Sequence, residues 1–235
     1  MPTTNFPNGA TNNTAQNALG QMIQQDPSKT HTYFNDFDAY TAGEWTITTT
    51  EVGTGSATEA LTNADGGVLL VTNAAGDNDN DFFNKVGESF LMEAGKPAFF
   101  KARFAVSDAT QSDFVVGLQI TDTTPLAVTD GIYFRKDDGD ALLDFVVIKD
   151  SAATTATGIA TVVDATYLTV AFYYNGVDAI DYYAGTDSTN PTWLGRSVVT
   201  NLPDDEELTI SFGLQNGEAV AKTMSIDYIF ASKER

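Results

Sequence analysis

The stretch AFFKARFA, from Ala98 to Ala105, sets Ala98, Phe100, Ala102 and Phe104 on one side of an extended chain and Phe99, Lys101 and Arg103 on the other. A period of two marks a strand with one buried face, because successive side chains leave a pleated backbone in opposite directions. LTISFGL repeats it, with Leu208, Ile210, Phe212 and Leu214 predicted inward against Thr209, Ser211 and Gly213. EWTITT, with Trp45 and Ile47 inward, follows the same rule, as do GVLLVT, DFVVGLQI, GIYFRK, LLDFVVI, YLTVAFYY and MSIDYIFA. Between these runs lie NADGG, DDGD, YNGVD and QNGEA, each placing Gly beside Asn or Asp as a hairpin requires. About ten such strands, with short polar turns and no long amphipathic helix in the body, predict an all-β fold of two packed antiparallel sheets.

A chain of 235 residues suits one sandwich domain, here residues 33–235, preceded by an extended N-terminal arm, residues 1–32. The first thirty residues are rich in Asn, Thr and Gln, and Phe6, Leu19, Met22 and Ile23 are too few to build a core of their own. Residues 15–25 suit a short helix with Leu19, Met22 and Ile23 on one side, stopped by Pro27. Phe6 and Pro7, followed by Asn8-Gly9, form an aromatic anchor and a turn, which suits an arm docking on a partner subunit; a leader without fixed structure is the other reading.

The 32 acidic residues outnumber the 12 basic ones, for a net charge of -20. Such a field repels nucleic acid and anionic lipid, and the basic residues are scattered along the sequence. With no cysteine, disulfides and thiolate metal sites are excluded. The lone histidine, His31, lies ahead of the first expected strand and leaves no two-histidine metal site. The N-terminus has neither a basic start nor an apolar run, so a product made without standard secretion is expected, and no apolar run is long enough to span a membrane.

Phe34 to Trp45 reads F-x-D-F-x-x-Y-x-x-x-x-W, and it is followed by DGIYFRKDDGD, the hairpin AFYYNGVDAIDYY and a final SIDYIFA. In these features the chain resembles the concanavalin-like jelly-roll sandwiches, the fold of lectins, laminin-G modules and many carbohydrate-binding or carbohydrate-cleaving domains. The opening TNFPNGATNN and the acidic, cysteine-free composition resemble a tailed-bacteriophage capsid decoration or cement protein. That resemblance implies a virion protein, assembled in the host cytoplasm and carried on the capsid exterior. Its partners would be the major capsid protein or other shell subunits, and it would act as a homo-oligomer such as a trimer. A carbohydrate-binding module used in adsorption is the alternative, and a glycoside hydrolase the lesser one.

Retaining glycosidases need two carboxylates about 5 Å apart, and the laminarinase-like jelly rolls supply them from a compact E-x-D-x-x-E on one strand. No such pattern occurs here, so no enzyme activity is expected; DDEE, Asp204 to Glu207, reads as a solvated turn. Asp144 and Asp227 lie within strands and could be opposed in space. In GDNDNDFF, Gly76 to Phe83, an EF-hand starting at Asp77 would place Phe82 where glycine is required. A looser calcium site at Asp77, Asp79 and Asp81 remains open beside a hydrated connection, and no other cofactor is expected. DDGD, Asp137 to Asp140, reads as a wet hairpin turn. Tyr173 or Tyr174 must point away from the core, and the pair Tyr182 and Tyr183 repeats that choice. Tyr173, Tyr183 and Trp193, the last expected in a loop, join Phe6, Pro7, Leu19, Met22 and Ile23 as candidate partner-binding residues. Trp193 could equally cover one open end of the sandwich.

Overall fold

The computed structural model describes residues 28–235, so Phe6, Pro7, Leu19, Met22, Ile23 and the helix expected over residues 15–25 lie outside the described residues. Among the described residues, fifteen strands form two antiparallel sheets. The larger has the order β13 (Thr192–Val198), β12 (Ala179–Gly185), β11 (Leu168–Tyr174), β6 (Ala98–Val106), β15 (Thr223–Glu234), β4 (Val68–Thr72) and β3 (Thr58–Thr62), and β1 (Thr30–Asn35) also pairs with β15. The smaller runs β10 (Ala152–Thr161), β9 (Leu142–Lys149), β8 (Gly131–Lys136), β7 (Ser112–Gln119), β14 (Thr209–Asn216), β5 (Asn80–Lys85) and β2 (Trp45–Thr50).

The alternation in the sequence becomes the core between the sheets. Phe100, Ala102 and Phe104 from β6 meet Ile210, Phe212 and Leu214 from β14 in one buried cluster. The F-x-D-F-x-x-Y-x-x-x-x-W motif supplies an aromatic corner: Trp45 packs edge-on to Phe212 at 5.1 Å, and Phe37 lies 6.2 Å from the same ring. Phe37 adopts φ +54, and its carbonyl would lie 2.3 Å from any Cβ at Gly67, so that glycine admits the corner.

A second cluster occupies the opposite face of the smaller sheet. Phe82, Val115, Tyr133 and Val146 are buried beneath the segment joining β7 to β8, which contributes Val128 and, partly buried, Leu126. Thr209 and Ser211 do point away from the main core, as expected, yet both are buried, and the Ser211 hydroxyl donates to Gln119 Oε1 at 2.6 Å.

Several expectations change. The first strand starts at Thr30, so Thr30 to Thr32 belong to the sheet rather than to an arm, and His31 lies within a strand. QNGEA is no hairpin: it carries the chain from β14 in one sheet to β15 in the other. NADGG, DDGD and YNGVD do join paired neighbours. Trp193 lies in β13 rather than in a loop.

Candidate functional site

The acidic motif folds partly inward. Asp77 is exposed, whereas Asp79 and Asp81 are 2% and 1% exposed: Asp79 is enclosed by the turn it closes, and Asp81 lies in the strand Asn80–Lys85, which is covered on both faces. The Asp79 carboxylate accepts the backbone N–H groups of Gly76, at 2.8 Å, and of Val52, closing the turn. Asp81 accepts the Thr49 hydroxyl, and burial pushes its pKa up to about 6. Among the described residues, no group of three His, Cys, Asp or Glu side chains is placed to hold a metal ion.

Asp144 and Asp227 are not opposed. Asp144 lies between the core residues Leu143 and Phe145 and so points outward from the smaller sheet, toward Arg135 at 3.9 Å. Asp227 points outward from the larger sheet and pairs with Arg103. The core lies between them. His31 shares a hydrogen bond with Ser89 at 2.9 Å, and its pKa is lowered by burial and by Arg235 and Lys233. Those are cations, the reverse of the carboxylate that orients a catalytic base.

The outer face of the larger sheet is different in kind. Register aligns Trp193, Tyr183, Ala171, Lys101, Phe230 and Phe34 in one rung crossing β13, β12, β11, β6, β15 and β1. Five strand spacings make that rung about 24 Å long. The adjacent rung reads Arg196, Asp181, Tyr173, Phe99, Ser232 and Thr32. Tyr173, Tyr183 and Trp193 therefore share one face, while Tyr174 is buried and Tyr182 turns inward onto Phe145 at 5.0 Å. Trp193 and Phe34 are 57% and 59% exposed, so the indole does not fold over an end of the sandwich.

Phe99 packs on Phe230 at 5.6 Å and lines three open depressions, of about 460, 390 and 460 Å³. Lys101 crosses the middle, donating to the Thr189 carbonyl at 3.0 Å with its ammonium 5.8 Å from the Tyr228 ring. Burial lowers its pKa, against the pull of Asp187. Across the middle of the face Lys101, Arg103 and Arg196 are matched by Asp181, Asp187 and Asp227, in a chain with 32 acidic and 12 basic residues. The sequence reading missed Phe34, Phe99, Phe230 and Asp181. The outward phase of Phe99 was legible in AFFKARFA, but which strands lie beside it is a matter of long-range register.

Neither a protein-family model nor a curated protein sequence matches the chain. Solved structures do match in fold. A protein of unknown function from Shewanella oneidensis MR-1 is 17% identical with a TM-score of 0.62, over 93% of this chain and 92% of that one. An endo-1,3-beta-glucanase from Streptomyces sioyaensis is 11% identical with a TM-score of 0.60, over 90% and 99%. The CBM2 module of the evolved Dit of Lactobacillus casei BL23 phage J-1 is 10% identical with a TM-score of 0.55, over 87% and 96%. Lectins and further glucanases are among the other matches. At such identities the likeness is one of fold: the chain is a concanavalin-like jelly-roll sandwich.

Proposed function

We propose that the protein is a non-catalytic interaction protein, a decoration or cement subunit of a tailed-phage head, and that it docks through the outer face of its larger sheet. The observation that carries this reading is the aromatic cluster at one end of that face, where Phe34 and Phe230 of one rung meet Phe99 of the next and offer apolar surface on and beside the first strand. Sheet faces are normally polar where they meet water, and aromatic enrichment with few unpaired charges characterises the centre of a protein interface. The partner is a shell subunit or a further copy of this chain in a homo-oligomer, and burial repeated by symmetry would hold the shell together. Likeness in fold to a module of a phage protein is compatible with this role, and the composition of the first thirty residues supports an assembly arm.

Catalysis is disfavoured by the arrangement of the acids. Asp144 and Asp227 face away from each other across the core, and part of the smaller sheet's outer face lies under the chain's own β7–β8 segment. Carbohydrate binding, the second reading, draws on the fold likeness and on the Trp193 end of the same face.

The test is retention on particles. Phe34→Ser combined with Phe230→Ser is expected to leave the circular dichroism spectrum intact while reducing co-sedimentation with heads, or self-association, by about tenfold or more. Unchanged retention of this double variant would refute the docking face.

A further inference from the structure

The Phe34 end of the face lies where the described chain begins, and the way the chain enters bears on what covers that end. Ser28 and Lys29 form a turn ahead of β1. The turn is pinned: the Arg235 backbone N–H donates to the Lys29 carbonyl at 2.9 Å, and Arg235 Nε donates to the Thr30 carbonyl at 3.2 Å. Lys29 and Thr30 line the depression of about 460 Å³ whose apolar wall is Pro97, Phe99, Tyr173 and Phe230. A second depression, of about 390 Å³, shares Phe99 and Phe230 and carries the apolar surface on to Phe34, which is 59% exposed. Apolar surface therefore extends from the point where the chain enters to the exposed ring of β1.

Three properties of the sequence ahead of Ser28 suit it to this surface. The first is reach. Ile23 is six residues from Lys29, a span of up to about 20 Å for an extended chain. Phe34 lies four residues along β1 from Thr30, about 14 Å, and Phe99 lies two strand spacings from β1, about 10 Å. The second is apolar spacing, since Leu19, Met22 and Ile23 recur at the intervals that set side chains on one side of a helical turn. The third is charge. Asp26 is the one charged side chain in residues 1–27, and without it 31 acidic residues face 12 basic ones in residues 28–235, a net -19. A second copy approaching this face meets repulsion between two acidic bodies. The leader brings a single carboxylate, three residues from Lys29, to an end bordered by Lys29 and Lys233. Tethering favours it further: a linker this short holds the segment at an effective concentration of about 1 mM, which a separate copy would have to reach to compete.

We propose that residues 19–23 of the same chain lie across the Phe34, Phe99 and Phe230 end of the larger sheet in the lone protein, with Leu19, Met22 and Ile23 against the three rings. The leader is then a cover for the docking face. It keeps aromatic surface from unproductive association until a partner arrives. A shell subunit or another copy reaches the apolar surface only by displacing the segment, and the displaced segment becomes available to that partner. In this regulatory consequence the inference rests on the docking role proposed above; the contact within the chain does not.

Two measurements on the full chain, without particles, test the contact. Leu19→Ser combined with Met22→Ser and Ile23→Ser is expected to raise bis-ANS emission by about threefold or more, because the dye reports exposed apolar surface. Adding Phe34→Ser with Phe230→Ser should return the emission to the natural level. Since the chain has no cysteine, an engineered pair reads the contact directly. Met22→Cys with Ser188→Cys, the latter in the depression that Phe34 and Phe230 line, should oxidise to a disulfide within one chain. It should do so about tenfold faster than Met22→Cys with Thr157→Cys, on β10 of the other sheet. Unchanged dye emission in the triple variant would overturn the inference, as would equal oxidation rates for the two pairs or a disulfide that joins two chains. Retention on heads is a separate readout. If Phe34→Ser with Phe230→Ser docks as the natural chain does while the disulfide forms within the chain, the docking reading falls and the cover stands.

Discussion

Asp81 shows how far a residue's surroundings can depart from its sequence context. GDNDNDFF is among the most polar stretches in the chain, yet its second and third aspartates are almost wholly buried. Asp79 finds two backbone donors, which is the ordinary use of an aspartate in a turn. Asp81 is less well served: Oδ1 accepts from Thr49, but Oδ2 has no hydrogen-bond partner, nor does the nearby buried hydroxyl of Tyr40. Burial is the main cause of its raised pKa of about 6, and Glu59 and Glu51 add to it while the Thr49 bond opposes it. The sign of the effect on stability follows from linkage. A carboxyl whose folded pKa lies above its unfolded one binds more protons when folded, so its contribution is fully present below about pH 4 and is lost as pH rises through about 6. Asp81→Asn removes that dependence. The melting temperature of the variant relative to the natural chain should therefore rise between about pH 4 and 7, by several degrees if the difference is about 1 kcal/mol or more. A difference that stays flat across this window would show that Asp81 is ionised at no cost.

At the scale of elements, strands were legible where one face is apolar and the other polar, as in AFFKARFA and LTISFGL, because that alternation is written in consecutive residues. Strands lacking it were not. AATTATGIAT forms β10 at the edge of the smaller sheet, with a register shift between Ala156 and Ala160, and its Thr and Ala side chains give little hydrophobic contrast. NDFFNK forms β5 with both faces covered, one by the main core and the other by the β7–β8 segment, a covering that sequence periodicity cannot reveal. The candidate site divides in the same way. Tyr173, Tyr183 and Trp193 were identified as exposed aromatics, but the bulge that aligns Tyr183 with Trp193, and the partnership of Asp181 with Arg196, depend on pairing between strands. Turns were legible where glycine answers a local need. Gly67 combines φ +87 with a backbone carbonyl 2.3 Å from the site of a Cβ, and neither can relax without moving Phe37. Gly67→Ala should lower stability by about 2 kcal/mol or more in denaturant unfolding, through backbone strain and overpacking together. Trp193→Ala, on an exposed edge-strand residue, should change it by less than about 1 kcal/mol.

For the molecule as a whole, net charge and interface charge make opposite demands. A body with a formal charge of -20 repels copies of itself at long range and attracts cations and basic surfaces. If electrostatics governed its association, a basic partner would be the natural one, and added salt would weaken the complex. The outer face of the larger sheet is organised against that outcome. Arg103 pairs with Asp227, Arg196 with Asp181, and Lys101 lies in the field of Asp187, so the cations across the middle of the face each have a carboxylate near them, while Lys29, Lys233 and Glu234 border its Phe230 end. Pairing leaves no net charge for a partner to match across the middle of the face, and the favourable contribution is apolar burial at its aromatic end. Association through it, whether with shell subunits or with another copy, should therefore survive or strengthen as ionic strength rises from roughly 0.05 to 0.5 M, because screening removes the long-range repulsion between acidic bodies while apolar contact is retained. Sedimentation velocity across that range, with Phe34→Ser and Phe230→Ser as the control, measures the difference. A complex that dissociates on adding salt would mean that the acidic surface outside this face makes the contact, and the aromatic rung would lose its place as the docking surface.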